Sequence, residues 1–507
     1  MTASFSPART ANSLFLAFLF LVLSLTASQA QEAPTATPAP AAQAAPPPPI
    51  QPVPVAPLPS TPLALGIQAL LKEGVIAKLR FGQFPDFKAQ LEALYQPTGY
   101  APLWTRNGKA IPQAQKAIAS LFKADDKGLN SADYEADLLN RWLAGINAQA
   151  SPSPQELSQF DAALSLSLMR YASNLYLGRI NPREVNFSLD IEPKKQDLPA
   201  LLRKLAASEK PDALLADLEP KLKLYQYLKD ALVRYRTMAK EPTPLPIALP
   251  GKFKPGDTHA DVPKLRKLLS VYGDLAQGDP NDPSPNYDKA LVEAVKRFQT
   301  RHGLTPDGAI GKGTLAQLNV PLADRIQQIQ LGLERMRWLP EHIDGRYLMV
   351  NIPSFQLFGF HHGSGSERPD LEMNVIVGEA IDGRNTPVFH SDMTYVNFRP
   401  YWNVPYAIAL KEYVPILSRN PGYLGSHDME IVANFTPNAS VYSASGENIR
   451  LLASGSLKLR QKPGPKNALG LVKFAFPNTN NVYLHSTPSQ GLFKRTRRDF
   501  SRQLLSQ

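Results

Sequence analysis

Apolar residues recur at two different spacings along the chain. From Leu63 to about Leu245 they return every three or four positions, most clearly in residues 161–178 and 221–238. This is the spacing of one face of an α-helix. The apolar positions of the second segment are Leu222, Tyr225, Leu228 and Leu232. The pattern predicts a helical scaffold domain over residues 63–245, interrupted by a turn at GYAPLW, and no polar constellation within it indicates chemistry.

A second helical pattern covers residues 246–321. Asp261 stands where a side chain can cap the first helix, with Pro263 in its first turn. Gly303 is placed to end the second helix. The apolar positions of the three helices are Val262, Leu265, Leu268 and Leu269, then Leu291, Val295 and Phe298, then Leu315 and Leu318. We therefore predict a compact three-helix module.

The last third of the chain changes to a period of two. "RYLMVNIPSFQLF" from Arg346 and "LEMNVIVGEA" from Leu371 alternate as half-buried strands do, and Pro and Gly clusters separate such runs. This predicts a β-rich domain over residues 346–507. Residues 322–345, rich in Arg, Gln and Leu, are predicted to form a connecting helix. The fold class is therefore a multidomain α+β protein.

The first thirty residues have the composition of a secretory signal peptide. Arg9 gives a basic start, residues 14–25 are apolar apart from Ser24, and SQA precedes a cleavage site. The apolar core is too short to span a bilayer comfortably as a helix; an uncleaved anchor is the alternative. Residues 31–62 form an Ala/Pro-rich linker, which acts as an extended spacer. We therefore predict an exported protein.

Composition and charge narrow the classes of partner. The 507 residues are 43% hydrophobic, enough for several globular cores, and carry a formal net charge of +11. A basic exported protein meets anionic wall polymers and lipid surfaces, whereas export argues against nucleic acid. The chain has no cysteine, which excludes a disulfide, a thiolate metal site and a thiol nucleophile. We expect no cofactor and no metal.

The three-helix module resembles a known wall-binding domain. "AVKRFQTRHGLTPDGAIGKGTLAQLNV", which ends at Val320, is similar to the peptidoglycan-binding domain appended to many wall hydrolases and wall-modifying enzymes. The resemblance implies binding of peptidoglycan glycan or stem peptide. The alternative is that the matching residues only hold the fold.

Four stretches of the β-rich domain resemble L,D-transpeptidases of the large periplasmic type, whose catalytic domain is called YkuD. They are TPVF, "VNFRPYWNVP", "LRQKPGPKNALGLVKFAFPN" and "VYLHSTP", and they stand in the family's order. The domain order also fits. In this family a cysteine thiolate attacks a stem peptide between its third residue and the terminal D-alanine. An amine of a neighbouring stem then resolves the thioester and forms a 3→3 cross-link.

The resemblance implies roles for individual residues. His485 matches the base that activates the thiol. Tyr483, two residues earlier and therefore on the same side of a strand, matches an aromatic of the substrate channel. Trp402 matches an aromatic near the catalytic groove, with core packing as the alternative. Residues 406–442 match a capping insert over the site, in which His427 is predicted on the surface.

The chain departs from the family at the nucleophile. Family members carry Ser, a variable residue, Gly and Cys, followed by a hydrophobic residue and Arg. Here Ser501 is in place, but Gln503 replaces the glycine and Leu504 the cysteine, nineteen residues after His485. Leucine has no nucleophile. The abrupt change after Ser501 is typical of a truncated or frameshifted C-terminus.

No nearby serine is well placed to replace the thiol. Ser486 and His485 are neighbours on a predicted strand and point to opposite faces. Ser501 precedes the nucleophile position by three residues, and Ser506 is predicted to lie on a frayed end. A serine hydroxyl also needs a stronger base than a thiol.

Three hypotheses for the function remain open. The first is a periplasmic L,D-transpeptidase of cell wall and cell shape biogenesis, inactive in this chain because the nucleophile is missing. The second is a non-catalytic peptidoglycan-binding scaffold of the cell envelope. The third, an unrelated basic exported binding protein, treats the four ordered motifs as coincidence.

Overall fold

The computed structural model describes residues 20–25, 57–185, 194–340, 343, 345–361, 369–379, 386–479, 482–500 and 504–506. Within these ranges, helices dominate the first two thirds of the chain and strands the last third. The predicted multidomain α+β class is confirmed. No helix among these residues combines the length and apolar character needed to cross a membrane.

The N-terminal apolar run contributes a strand, β1 (Phe20–Leu25). It pairs with strands of the C-terminal region. Residues 1–19 and 26–56 lie outside the described residues, and with them lie the rest of the predicted signal peptide and most of the predicted linker. The signal peptide therefore stays a prediction.

The described residues of the scaffold region contain eight α-helices, and seven of these surround a large apolar core. The longest, α5, is buried on nearly every side, and the Ser153 side chain caps its first turn. The helices are α1 (Pro62–Glu73), α2 (Lys88–Tyr95), α3 (Pro112–Phe122), α4 (Ala136–Ala148), α5 (Pro154–Leu177), α6 (Leu198–Ala207), α7 (Pro211–Ala216) and α8 (Lys223–Met238). A short ribbon joins β2 (Thr105–Arg106) to β3 (Lys109–Ala110). The apolar face predicted for α8 is confirmed, but it packs into the next core along the chain.

The three-helix module folds as predicted around a compact core. It consists of β4 (Lys252–Phe253), α9 (Val262–Val271), α10 (Lys289–Arg301), β5 (Ile310–Gly311) and α11 (Lys312–Leu318). Leu291, Val295 and Phe298 are fully buried, and Gly303 follows α10 with φ +67°. The capping role predicted for Asp261 is wrong. Its carboxylate caps no backbone N–H group of the first turn of α9; it accepts from Ala248 N at 2.6 Å and pairs with the Lys264 side chain.

The predicted connecting helix is α12 (Leu322–Arg337), which packs along α8. Its last residue, Arg337, is fully buried. The Arg337 guanidinium donates to the Lys127 carbonyl oxygen of the scaffold region, to Tyr225 Oη of α8 at 3.1 Å and to Glu334 Oε2 at 3.3 Å. One side chain thus links three parts of the chain.

The β-rich region contains two separate sheets. Its strands are β6 (Arg346–Asn351), β7 (Gln356–His361), β8 (Leu371–Ile376), β9 (His390–Asp392), β10 (Tyr395–Phe398), β11 (Trp402–Asn403), β12 (Met429–Val432), β13 (Val441–Tyr442), β14 (Lys458–Gln461), β15 (Val472–Ala475), β16 (Leu484–His485) and β17 (Leu504–Ser506). The larger sheet has the order β10-β15-β16-β17-β8-β7-β6-β1-β9. Most of its pairs are antiparallel, whereas β16–β17 and β1–β9 are parallel.

The smaller sheet, with the order β11-β14-β12-β13, belongs to a subdomain inserted between β10 and β15. We call residues 402–461 the cap. Its helices are α13 (Tyr406–Ile408), α14 (Val414–Arg419), α15 (Tyr423–Ser426) and α16 (Gly446–Ala453), with a π-helical turn at Ala409–Tyr413. The cap has its own apolar core, which includes Leu417, Ile431 and Leu459. It spans more of the chain than the predicted insert at residues 406–442.

Candidate active site

His485 lies at the end of β16, the third strand from one edge of the large sheet. Its side chain is only 3% exposed. Leu484, the preceding residue, belongs to the apolar core beneath the sheet. Since successive side chains of a strand point to opposite faces, His485 faces away from that core.

Hydrogen bonding and burial define the protonation state of the His485 imidazole. Nδ1 lies 2.7 Å from the carbonyl oxygen of Ser486. A carbonyl oxygen can only accept, so this bond requires a proton on Nδ1 and gives Nε2 the lone pair. Burial lowers the pKa of His485 to about 4, the Lys473 charge adds to this effect, and bonds to the Ser486 and Leu469 backbone oppose it. The ring is therefore a neutral base at pH 7.

Two side chains lie beside His485, one from the residue just before β16 and one from the neighbouring strand β15. The Tyr483 ring centroid is 5.5 Å from that of His485, as the prediction that both project to one side requires. Lys473 of β15 is the direct cross-strand neighbour of His485, and its Nζ lies 3.8 Å from the Tyr483 ring centroid. Burial lowers the pKa of Lys473. The site thus combines a neutral base, an aromatic ring and a half-buried ammonium group.

Ser486 has a structural role. Its hydroxyl oxygen accepts from Leu471 N at 2.7 Å and Val472 N at 3.2 Å. Gly470 lies against it, and a Cβ added at Gly470 would be 2.3 Å from Ser486 Oγ. The hydroxyl therefore fastens the loop before β15 to the strand that carries His485. This agrees with the sequence argument against Ser486 as a nucleophile.

Asn467 ties the cap to the large sheet. Its side chain is 1% exposed and donates to the carbonyl oxygens of Pro400 at 3.1 Å, Gln461 at 3.3 Å and Lys462 at 2.9 Å. Pro400 precedes the cap, and Lys462 follows it. One amide thus holds the entry and the exit of the cap together, three residues before Gly470.

The structure places Trp402 in β11 of the cap. Its indole ring packs edge-on against Tyr413 at a centroid distance of 6.1 Å, among the residues that surround the cap core. Core packing, the alternative given for this residue, thus has a physical basis, and its substrate role stays a prediction. His427 is exposed, as predicted, and stacks on Tyr423 at 3.7 Å.

The predicted nucleophile segment is described only in part. Ser501 lies outside the described residues, as does Gln503. Leu504 begins β17, whose backbone pairs with β16 on one side and β8 on the other. The frayed end predicted for Ser506 is wrong, because Ser506 pairs with Val375. No cysteine occurs at any of the 507 positions.

The sequence indicated His485 and Tyr483 as site candidates, whose roles stay predictions, and Lys473 and Asn467 were not among these candidates. Lys473 carries a weak signal in the sequence, a cation in the alternating run LVKFAF. Its place beside His485 depends on the pairing of β15 with β16, which lie in different parts of the sequence. Asn467 was not found because one of its three acceptors, the Pro400 carbonyl oxygen, lies far earlier in the chain.

Family comparisons agree with this architecture. Residues 345–503 match the model of the L,D-transpeptidase catalytic domain, YkuD. Residues 258–318 match a peptidoglycan-binding domain, and residues 89–232 match a scaffold domain. The chain therefore contains a YkuD-type L,D-transpeptidase catalytic domain joined to a peptidoglycan-binding domain.

A curated relative points to the same class. The chain is 33% identical over 178 residues to a Haemophilus influenzae protein whose name assigns it to the L,D-transpeptidases. The match covers 34% of each protein. The chain thus spans about a third of the length of the curated relative that it matches.

Proposed function

We propose that this protein binds peptidoglycan in the cell envelope and carries a catalytic domain built for the L,D-transpeptidase reaction. The main support for this proposal is the geometry at His485. A buried, neutral imidazole is fixed by the Ser486 carbonyl oxygen and lies beside an aromatic ring and an ammonium group. Such a base can take a proton from a thiol that attacks a stem peptide. The reaction class then implies 3→3 cross-links between stems.

The chain of 507 residues supplies the base without a thiol. Acyl transfer of this kind needs a nucleophile within hydrogen-bond reach of the base and donors for the oxyanion. Leu504 provides neither at the expected position. In this form the chain binds peptidoglycan without transferring acyl groups, which joins the first two hypotheses: a transpeptidase architecture that functions as a wall-binding scaffold.

Retention on peptidoglycan tests the binding part. The full chain is mixed with purified sacculi and sedimented, beside a basic control protein of similar size and charge. We expect the chain to sediment with sacculi at salt concentrations that release the control, because the module at residues 258–318 supplies contacts besides charge. Equal release of the two proteins contradicts the proposal.

Acylation by a carbapenem tests the catalytic part. Intact-mass spectrometry of the chain after incubation should show no adduct, since it has no cysteine. The single change Leu504→Cys should add little, because Gln503 still occupies the glycine position and an unassisted thiol is only a few per cent ionised near neutral pH. The double change Gln503→Gly and Leu504→Cys is the comparison. Drug-mass adducts on the unchanged chain would overturn the assignment of the missing nucleophile.

Location follows as part of the same proposal. The substrate class lies outside the inner membrane, and residues 1–30 have a signal-like composition. Fractionation of cells that produce the full chain should find it in the periplasmic or envelope fraction, with mass spectrometry showing loss of the first thirty residues. A cytoplasmic, uncleaved product contradicts it.

A further inference from the structure

A row of polar side chains crosses the large sheet from His485 to its edge. Strand pairing aligns Asn397 of β10 with Lys473 of β15 and Lys473 with His485 of β16. Directly paired residues project from the same face of a sheet. Tyr395, two residues before Asn397, shares that face and is 60% exposed. A continuous strip on the face of His485 therefore reaches outward as far as β10.

Lys473 is the charged member of this strip. The side chain is half-buried, and the contact that defines its position is the Tyr483 ring, 3.8 Å from Nζ. Within the described part of the chain, no carboxylate forms an ion pair with it. Burial is also the stated cause of its lowered pKa. Partial burial of a cation without a carboxylate partner is unfavourable in free energy, and a ligand carboxylate would offset this by supplying the partner.

The sheet edge beside Lys473 suits an extended peptide. β10 is the terminal strand of the nine-stranded order, and all four of its residues are exposed. Extended peptides commonly align with such an edge, where backbone groups are open to pairing. A peptide that enters at this edge and crosses the exposed face towards His485, rather than pairing along β10, passes over Lys473.

We infer that Lys473 binds a carboxylate of the stem peptide and thereby sets the specificity of the site. The inference rests on the proposed function, because the peptide is the one that the His485 base would serve. The ammonium group would hold the anionic group against the Tyr483 ring and align the peptide towards His485. Two carboxylates of a stem can supply this group, that of the terminal D-alanine and the free one on the diamino acid.

Binding can be measured without turnover because the chain has no thiol. The full chain is titrated by calorimetry with a stem tetrapeptide that ends in the diamino acid and D-alanine. Two further probes replace one carboxylate each by a carboxamide. A charge-assisted bond of this kind should make the acid bind at least about tenfold tighter than one of the two amides, and the weaker amide identifies the carboxylate that Lys473 holds.

Variants separate the ammonium group from general charge effects. Lys473→Met keeps an aliphatic side chain against the Tyr483 ring but removes the ammonium group, so it should abolish the difference in affinity between the acid and the amide. Lys473→Arg keeps the positive charge and should retain most of that difference. The control Lys462→Met removes an exposed lysine that lies 3.7 Å from Glu430 in the cap region and should leave the difference intact. Thermal unfolding of each variant checks that it is folded.

The outcomes separate this inference from the proposed function. Equal binding of the acid and both amides by the unchanged chain overturns the role of Lys473, as does a preference that survives in Lys473→Met. Complete lack of peptide binding overturns it too. Lys473→Met should sediment with sacculi to the same extent as the unchanged chain, since its peptidoglycan-binding module is intact. If neither protein sediments with sacculi, the result counts against the proposed function instead.

Discussion

At the scale of single residues, the neutral state of His485 has a measurable consequence for stability. In the unfolded chain a histidine binds a proton below about pH 6.5, whereas the folded His485 has a pKa of about 4. The unfolded state therefore binds more protons between these values. The free energy of unfolding should be highest above pH 6.5 and should fall as pH drops towards 4, with a contribution from His485 of about 3 kcal/mol.

Denaturant unfolding at a series of pH values checks this. His485→Gln should flatten the fall between pH 6.5 and 4, and the remaining slope should include His302 of the binding module, whose burial lowers its pKa to about 3. His427, which is exposed, provides the control variant His427→Gln. An unchanged slope in His485→Gln would contradict the neutral, buried state of the ring.

Gly470 gives a second prediction at this scale. Its φ is +62°, and an added Cβ would be 2.3 Å from Ser486 Oγ and 2.8 Å from Thr487 N. Gly470→Ala should therefore destabilise the domain by roughly 1–3 kcal/mol and displace the strand that carries His485. Gly464→Ala is the matched control, since no heavy atom lies within 4 Å of its Cβ position. NMR signals of the His485 ring should shift in the first variant and stay in place in the second.

The structure agrees with the sequence where strand alternation carried a prediction. The rings of Tyr483 and His485 lie side by side as predicted, because the run VYLH is local in sequence, while their roles in the site stay predictions. Asp261 was predicted to cap α9, but its carboxylate accepts from Ala248 N instead, because the chain before the module folds back over that end of the helix. A polar side chain has several possible hydrogen-bond partners, and the local sequence does not show which partners from distant segments come within reach.

At the scale of elements, α5 depends on one buried carboxylate. Asp161 is fully buried and accepts from Tyr95 Oη at 2.8 Å, Leu103 N at 2.9 Å, Trp104 N at 2.8 Å and Thr105 Oγ1 at 3.2 Å. These donors belong to α2, to the turn at residues 99–104 and to the start of β2. The carboxylate thus holds that turn against the central helix, a polar cluster that the apolar periodicity of α5 did not indicate.

Removing the Asp161 carboxylate should strongly destabilise the scaffold region. Asp161→Ala leaves the buried Trp104 N–H and the part-buried Leu103 N–H without their acceptor, which should lower the free energy of unfolding by roughly 2–5 kcal/mol. The control Asp230→Ala changes an exposed residue of α8 and should shift stability little. Denaturant midpoints of both variants at pH 7 provide the measurement. Equal stability of Asp161→Ala and the unchanged chain would refute the structural role.

Elements themselves were largely predictable, because their periodicities are properties of short segments. α5, α8, α10 and the strands β6, β7 and β8 fall where the apolar spacing indicates them. The two short strands of the cap that carry Trp402 and Val441 were not predicted, since two-residue strands have no periodicity to detect. The parallel contact of β16 with β17 was also missed, because pairing partners far apart in sequence leave no local pattern.

At the scale of the whole molecule, the sequence predicted the order of the domains along the chain but not the contacts between them. The resemblance indicated a scaffold, a binding module and a catalytic domain. The structure adds that α8 and α12 share the module's apolar core and that Arg337 joins α12 to the scaffold region. Contacts between domains depend on a few side chains that meet in three dimensions, so no periodicity of the sequence reports them.

Arg337 provides the last prediction. The guanidinium is fully buried and donates to Lys127 O, Tyr225 Oη and Glu334 Oε2. Arg337→Met should leave the Lys127 carbonyl and the Glu334 carboxylate with weaker partners and destabilise the joint by roughly 3–5 kcal/mol.

The effect should be located at the joint between α12 and the scaffold region. Because the scaffold core itself is untouched, we expect denaturant unfolding of Arg337→Met to separate into two transitions, with the scaffold region more stable than the rest. The control Arg141→Met removes an exposed arginine of α4 and should keep the unfolding profile of the unchanged chain. Hydrogen exchange should become faster in α12 and α8 of Arg337→Met while α5 stays protected. If exchange instead rises equally in all three helices, Arg337 stabilises the molecule globally and does not act as the link between its parts.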